Sequence, residues 1–209
     1  MGLRARREQE KETLRTSILE SATRIIIEEG YDKLSMRKIA DAIDYSPTTI
    51  YSYYKDKAQI VEGILEKVYL RIILRVTEVL EKNQEASIDK QVELIFSAFI
   101  HAMVEQAEMG RAVIRSGSKA MFQDGEKEKN REEGQGSKVS GVGLLQNFLT
   151  QGQEASVLRE LDENISWMLI TSLLGFSMNG IENQLYLRED WNDLVQTYVE
   201  LLMKGIKKT

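Results

Sequence analysis

The sequence has no cysteine and only one proline among its 209 residues. Without cysteine there can be no disulfide bond, no thiolate metal cage and no cysteine nucleophile, and such a chain suits a reducing compartment. Average usage would give roughly ten prolines in a chain of this length, so few segments are forced to break and long helices are favoured. The composition therefore predicts an all-α protein.

Several catalytic motifs are also missing. The sequence has no glycine-rich phosphate loop, no Gly-x-Ser-x-Gly elbow and no His-Glu-x-x-His pair, and it contains a single histidine. A lone histidine without cysteine leaves only carboxylates as further metal ligands. We therefore expect no enzymatic activity, no metal ion and no cofactor.

The sequence contains no segment that is typical of membrane association. The most apolar run, residues 165–181, contains serine, threonine and asparagine, and it is shorter than the ~20 apolar residues that a membrane-spanning helix needs. The first residues contain no apolar stretch that would act as a signal peptide. These observations predict a cytoplasmic protein without a membrane partner.

The charge is distributed unevenly along the chain. The formal net charge of -5 argues, by itself, against binding to DNA, but residues 1–60 hold eleven basic and ten acidic side chains, so the excess of acid lies downstream. Arg4, Arg6 and Arg7 stand close to the N-terminus. They are interpreted either as part of an unstructured tail, which is favoured because chain termini are disordered by default, or as side chains that enter a minor groove.

The spacing of apolar residues predicts about nine helices. The first ends at Gly30, Ser35 is the expected N-cap of the second, Ser46 and Pro47 begin the third, and Asp56 caps a long fourth. Later helices are expected at about 88–106, around 112, and at 140–152, 164–186 and 190–207. The charged, glycine-rich segment 123–143 is expected to be a surface loop or a lid. We predict a helical DNA-binding domain over residues 1–60 and a larger helical domain over residues 61–209.

Two short helices joined by a tight turn, after a supporting helix, form a helix-turn-helix whose second helix fits the major groove of DNA. Residues 35–57 resemble the DNA-binding signature of the tetracycline-repressor (TetR) family through Ile39-Ala40, Thr49-Ile50-Tyr51 and the segment from Tyr54 to Lys57. The family turn usually holds a small residue and glycine, where this chain has Ile43 and Asp44. Aspartate enters the left-handed region more readily than most residues, so we expect the turn to be retained.

The resemblance implies that the second and third helices, and the start of the fourth, contact double-stranded DNA with a palindromic operator. Hydroxyl and basic side chains orient a protein on DNA phosphates but do not distinguish bases. For base readout, the threonine methyl groups suit thymine, and Arg37 alone could bind guanine. Because so few groups read bases directly, we expect specificity to rest on thymine contacts, DNA shape and operator symmetry. The alternative is a helical hairpin whose tyrosines merely pack. The candidate DNA-binding residues are Ser35, Arg37, Ser46, Thr48, Thr49, Tyr51, Ser52, Tyr53 and Lys57.

The resemblance further implies a homodimer in which the last two helices of each subunit form a four-helix bundle. The helix at 164–186 is apolar nearly all round and must be covered on every side, and Gly175 and Gly180 would permit close approach of helices. The alternative is that these are core helices of a monomer. The candidate interface residues are Trp167, Leu174, Gly175, Met178, Trp191, Leu194, Val195, Tyr198 and Leu202.

A small-molecule pocket in the larger domain is also implied by the resemblance. Its candidate lining is Phe96, Phe99, Ile100, His101, Met103, Phe122, Phe148, Met168 and Met178, although such residues at helical spacing are more often plain core, and His101 more often makes a structural hydrogen bond. The resulting expectation is a repressor released from DNA by a small apolar or amphipathic ligand. The alternative is a DNA-binding regulator controlled by protein docking on its C-terminal domain.

Overall fold

The computed structural model describes residues 3–116, 141–162 and 164–208, and within these residues the regular structure is helical, as predicted. Two single turns of 3-10 helix, Tyr31–Lys33 and Leu185–Leu187, and one isolated antiparallel bridge between Leu158 and Lys207 complete the described part. The helices are α1 (Leu3–Glu29), α2 (Met36–Ala42), α3 (Pro47–Tyr51), α4 (Lys57–Lys82), α5 (Ile88–Glu105), α6 (Ala107–Arg115), α7 (Gly141–Glu154), α8 (Ile165–Glu182) and α9 (Trp191–Ile206).

The described residues form two compact units. Residues 3–68 and 107–116 make up an N-terminal unit, and residues 69–106, 141–162 and 164–208 make up a C-terminal unit. The helix α4 contributes residues to both. The predicted division into domains at residue 60 remains a prediction.

The core of the N-terminal unit lies where α1, α2, α3 and the first turns of α4 meet, with α6 packed along α1. The apolar stripe predicted for α1 is buried there at Ile18, Ala22 and Ile26, and the stripe predicted for α4 is buried at Ile60 and Ile64. The helical spacing of these residues placed them on one face, and burial of that face stabilises the unit.

The helix α1 begins at Leu3, so the favoured prediction of an unstructured N-terminal tail is wrong. The first three turns contain no proline or glycine that would interrupt them, and Arg6 donates from Nε to Glu10 Oε1 at 2.9 Å across one turn. Such a pair stabilises an exposed helix by a few tenths of a kcal/mol. Arg6 and Arg7 therefore belong to the first turns of α1, where their side chains are exposed to solvent.

In the C-terminal unit, α5 contacts each of α7, α8 and α9. The side-chain amide of the buried Gln91 donates to the carbonyl oxygens of Asn83, Gln84 and Ala86, at 3.3, 3.0 and 3.0 Å, and so closes the loop between α4 and α5. The helix α8 ends four residues earlier than predicted, because Gln184 adopts a left-handed conformation with φ of 54°. No helix among the described residues is long and apolar enough to cross a membrane.

Candidate nucleic-acid interface

The short helix α3 is held at both ends by its own side chains. Ser46 Oγ accepts the backbone N–H of Thr49 at 3.1 Å, and Pro47 occupies the first helical position, as predicted. The Ser52 hydroxyl donates to the carbonyl oxygen of Thr49 at 2.6 Å at the C-terminal end. A helix of only five residues is too short to be stable in isolation, and these local hydrogen bonds help to stabilise it.

The inner face of the helix-turn-helix is fully buried. Ile39 and Ala40 of α2 and Ile50 of α3 have no solvent exposure, and Tyr54 follows them into the same core. Burial raises the pKa of the Tyr54 phenol above its ordinary value. This apolar backing fixes the orientation of α3, so that its opposite face is presented to solvent.

The turn between α2 and α3 uses a left-handed residue in place of glycine. Asp44 has φ of 57°, and the next amide, that of Tyr45, donates to the carbonyl oxygen of Ala40 at 3.0 Å. Aspartate tolerates this region better than most residues, and the bond satisfies a carbonyl that the end of α2 leaves free. The expectation that Asp44 retains the turn is confirmed.

The candidate DNA-binding side chains occupy different levels of exposure. Three of them are partly buried: Thr49 and Lys57, together with Tyr53, whose ring packs against the core. The Thr49 hydroxyl also lies 2.9 Å from that of Ser46, so the N-cap and the third residue of α3 form one hydroxyl pair. The candidates that are exposed are Ser35, Arg37, Ser46, Thr48, Tyr51 and Ser52.

Two candidates lie at the start of α2. Ser35 Oγ accepts the backbone N–H of Lys38 at 3.2 Å, which makes Ser35 the N-cap, as predicted. The side chain of Arg37 is 85 % exposed, and its Nε is 4.0 Å from a carboxylate oxygen of Asp41. A contact this long between exposed groups contributes little, so the guanidinium is available to a ligand.

Lys57, the first residue of α4, lies over the ring of Tyr31. Its Nζ is 4.2 Å from the ring centre and donates to the backbone oxygen of Tyr31 at 3.4 Å. Tyr31 follows Gly30, whose φ of 92° turns the chain away from the end of α1. Burial, followed by the carboxylates of Asp56 and Asp32, raises the pKa of the Tyr31 phenol. The ring therefore stays neutral and limits the freedom of the ammonium group.

Tyr45 is absent from the predicted set, although it is 49 % exposed and directly precedes the N-cap of α3. It borders a groove whose other wall is formed by α1 residues such as Arg6, Gln9 and Thr13. The sequence did contain a signal, since an aromatic residue at the turn of a helix-turn-helix is either buried or available for binding. Its exposure depends on where α1 lies, which the local sequence does not reveal.

The candidate dimer residues divide into two groups. The first is engaged within the chain: Phe176 of α8 stacks on Trp191 and Tyr198 of α9, with ring centres 5.6 and 4.1 Å apart. A side-chain carbon on Gly180 would lie 2.7 Å from the ring of Trp191, so this glycine admits an aromatic ring of its own chain. Leu174, Trp191 and Val195 are buried, and Met178, Leu194, Tyr198 and Leu202 are partly buried.

The second group faces outward. Trp167 is exposed on α8, and Gly175, two turns further along, has open space where a side chain would lie. Neighbouring Met168 is 59 % exposed, and Leu201 of α9 is 66 % exposed. Within the described chain, the apolar helix α8 is therefore not covered on every side.

The candidate pocket residues differ in exposure, and their role in binding a ligand stays a prediction. Phe96, Ile100 and Met103 are fully buried on α5, and Met168 lies at the surface of α8. His101 uses Nδ1 to donate to the carbonyl oxygen of Ser97 at 2.8 Å, and its Nε2 is 3.2 Å from Asn192 Oδ1. Phe99, Phe148 and Met178 are partly buried, and Phe122, with most of the 123–143 segment, lies outside the described residues.

The described residues contain no group of three or more histidine, aspartate or glutamate side chains arranged to hold a metal ion.

Comparison with known proteins extends these observations. A sequence model described as bacterial regulatory proteins, tetR family, matches residues 18–64, from the middle of α1 into α4. No curated protein matches the chain.

Solved structures share the fold over nearly the whole chain. A TetR-family transcriptional regulator from Haemophilus influenzae is 22% identical and covers 96% of this chain and 100% of its own, with a TM-score of 0.67. A TetR family regulator from Marinobacter aquaeolei is 16% identical, with coverages of 97% and 100% and a TM-score of 0.70. The fatty acid degradation regulator FadR from Bacillus halodurans is 20% identical, with coverages of 91% and 95% and a TM-score of 0.68.

The sequence match includes the helix-turn-helix with its apolar backing, its two serine caps and its left-handed turn, and the shared fold extends over nearly the whole chain. Residues 18–64 therefore resemble the tetR family of bacterial regulatory proteins, and the chain shares the fold of the solved TetR-family regulators.

Proposed function

We propose that this protein is a cytoplasmic, homodimeric repressor that binds a palindromic operator through α3 and leaves it when a small apolar or amphipathic molecule binds the C-terminal unit. The observation that carries the DNA-binding part is α3 itself. It is capped at both ends, buried on its aliphatic side and exposed at Thr48, Tyr51 and Ser52. An exposed hydroxyl face on a fixed helix is suited to phosphates and to thymine methyl groups.

In this proposal the residues around α3 have separate roles. Ser35, Tyr51, Tyr53 and Lys57 contact phosphates, and Lys57 is helped by the positive end of α4. Base readout rests on Thr48 and Thr49, and on Arg37 where a guanine is within reach. Ser46 and Ser52 hold the two ends of α3 through their hydrogen bonds. In the proposed complex they lie beside the DNA strand that the other residues contact. Because few of these groups discriminate among bases, DNA shape and operator symmetry supply much of the specificity.

The dimer is supported by the outward-facing apolar group on the last two helices. Trp167, Met168 and Leu201 are exposed large apolar side chains, and Gly175 leaves room for a closely approaching helix. A second copy of the chain would cover this surface, and exposed apolar surface of this kind is typical of protein contacts. A single α3 reads too few base pairs for genomic selectivity, so two copies would read inverted half-sites about one DNA turn apart.

The test of DNA binding uses the DNA upstream of the protein's own gene. Fluorescence anisotropy should detect specific binding that exceeds binding to random duplex of equal length by at least about a thousandfold. Footprinting should locate two inverted half-sites. Equal affinity for both duplexes would contradict the proposal.

The test of ligand control is a thermal-shift screen of apolar and cationic compounds, followed by a release assay on the bound operator. By linkage, an inducer releases DNA only to the extent that it binds the released state more tightly. A compound that both stabilises the protein and releases DNA supports a small-molecule effector. A screen without such a compound, together with a protein that releases the operator, would support control by protein docking instead.

A further inference from the structure

The N-terminal half of α1 and the turn between α2 and α3 line an open surface groove of about 500 Å³. One wall carries Arg6, Gln9 and Thr13 at helical spacing on α1, and the other carries Tyr45 and Ile43. All of these residues belong to the N-terminal unit. The groove therefore joins the N-terminal half of α1 to the start of the candidate reading helix.

The polar side chains that line this groove include several hydrogen-bond donors and one carboxylate, that of Glu10. Arg6 supplies a guanidinium, Gln9 an amide and Tyr45 a phenol hydroxyl, whereas the Thr13 hydroxyl already donates to the backbone oxygen of Gln9 at 2.9 Å. The bond from Arg6 to Glu10 uses Nε, and a guanidinium has two further nitrogens with which to reach an anion. A surface with this set of donors is suited to the non-bridging oxygens of a phosphate.

The groove also lies beside the proposed DNA contact. Tyr45 directly precedes Ser46, the N-cap of α3, so a duplex that receives α3 in its major groove would bring its flanking strand to this side of the helix. We propose that the groove between α1 and the α2–α3 turn binds the sugar-phosphate backbone of the strand flanking each half-site, with Arg6, Gln9 and Tyr45 as donors. This inference rests on the proposed DNA-binding function and adds a second contact region to it.

One acidic side chain makes the inference sharply testable. Glu10 lines the same groove and neutralises Arg6. If the pair only stabilises α1, loss of either partner should have the same effect. If the groove receives a phosphate, Arg6 attracts DNA and Glu10 repels it, so the two substitutions should change affinity in opposite directions.

The experiment compares three variants that each replace one exposed charged residue of α1 with glutamine. Arg6→Gln removes the proposed donor, Glu10→Gln removes the neutralising carboxylate, and Arg24→Gln is the matched control because Arg24 is exposed on the same helix but does not line the groove. Operator affinity is measured by anisotropy at several salt concentrations. Circular dichroism checks that helicity is retained.

We expect Arg6→Gln to weaken operator binding about tenfold near 0.1 M salt and to reduce the slope of log affinity against log salt by about one per subunit. Glu10→Gln should strengthen binding severalfold, and Arg24→Gln should change it less than twofold. In an ethylation-interference experiment, ethylation of one flanking phosphate should weaken binding by the wild-type protein and should not weaken binding by the Arg6→Gln variant.

Two results would overturn the inference: weakening by both Arg6→Gln and Glu10→Gln, or equal effects of Arg6→Gln and Arg24→Gln. Tyr45→Phe keeps the aromatic ring and removes only the hydroxyl, so it should also weaken binding, and an unchanged affinity would remove Tyr45 from the site. These failures are distinguishable from failure of the proposed function, in which the wild-type protein itself shows no operator preference.

Discussion

A single side chain of this protein can combine a structural contact with a proposed contact to DNA. Lys57 illustrates the difference, since its ammonium group is held over the Tyr31 ring and at the same time lies at the positive end of α4. Its position in the signature indicated a phosphate contact. The position of the Tyr31 ring beneath Lys57 depends on the fold, because Tyr31 lies twenty-six residues before Lys57 in the sequence and follows the turn at Gly30.

Substitutions of Lys57 and Thr49 should distinguish a residue that orients the protein on DNA from a residue that reads the bases. Lys57→Ala should weaken binding to all DNA sequences alike and lower the salt slope by about one per contact, because a phosphate contact carries no sequence information. Thr49→Val keeps the methyl group and removes the hydroxyl, so it should alter base preference more than overall strength. Competition binding on a library of operator variants measures both effects, and equal losses on specific and random DNA for both variants would contradict these roles.

The pair of Asp89 and Lys207 gives a pH-dependent contribution to stability. The two side chains approach within 2.8 Å, and hydrogen bonds from Lys207 and Ser87 lower the pKa of Asp89 to about 2, from an ordinary value of 3.8. Because the folded-state pKa is lowered, the stabilisation is present above about pH 4 and is lost as the pH falls towards 2. The carboxylate thereby holds the start of α5 to the end of α9.

Asp89→Asn should therefore destabilise the protein at pH 7 by about 1 kcal/mol, a value reduced from the full pKa shift because the Lys207 side chain is 43% exposed and solvent screens the pair. Urea unfolding at pH 7, 5 and 3 measures the difference, which should shrink at the lowest pH. In a double-mutant cycle, Asp89→Asn with Lys207→Met should cost little more than either change alone. A difference that stayed constant with pH would contradict this account.

At the scale of elements, the helix-turn-helix depends on how short helices end. The helices α2 and α3 have seven and five residues, so neither would be stable alone, and serine caps and a buried aliphatic face define them. The sequence predicted the caps and the inner face. The helix α3 ends at Tyr51, and Tyr54, three residues further on, is buried in the core.

The left-handed turn residue offers a test at this scale. Asp44→Ala should lower the free energy of unfolding by about 1 kcal/mol, since a side chain with ordinary steric limits is disfavoured at a φ of 57°. Asp44→Gly should be at least as stable as the wild type, because glycine adopts this conformation freely. Urea unfolding measures both, and Asp41→Ala, at an exposed helical position of α2, is the control. Equal stability of the Asp44→Ala and Asp44→Gly proteins would show that the turn is not under this constraint.

At the scale of the whole molecule, the exposed apolar residues of α8 and α9 predict self-association. Gly175→Arg introduces a long charged side chain where the single chain has open space, so the fold should be retained and the proposed dimer should be lost. Sedimentation at micromolar concentration should show a wild-type dimer and a monomeric variant, with at least about tenfold weaker operator binding for the variant. Asn147→Arg, which adds the same charge at an exposed position on α7, is the control.

A monomeric wild-type protein at that concentration would remove the dimer from the proposal. A dimer that persisted in Gly175→Arg would instead move the interface away from the outward face of α8. Operator binding by a monomer would further mean that specificity arises without symmetry.

The sequence by itself determined the all-α class, the order of the helices, the two serine caps and the residues of the helix-turn-helix, because these follow from local periodicity and from contacts within four residues. The tertiary structure decided which way the remaining side chains face. It placed Trp191 against Gly180 and left Met168 outside, and it brought Tyr45 beside Arg6, thirty-nine positions earlier in the sequence. Those arrangements depend on how distant helices meet, and helical spacing shows only that a residue shares a face, not what that face contacts.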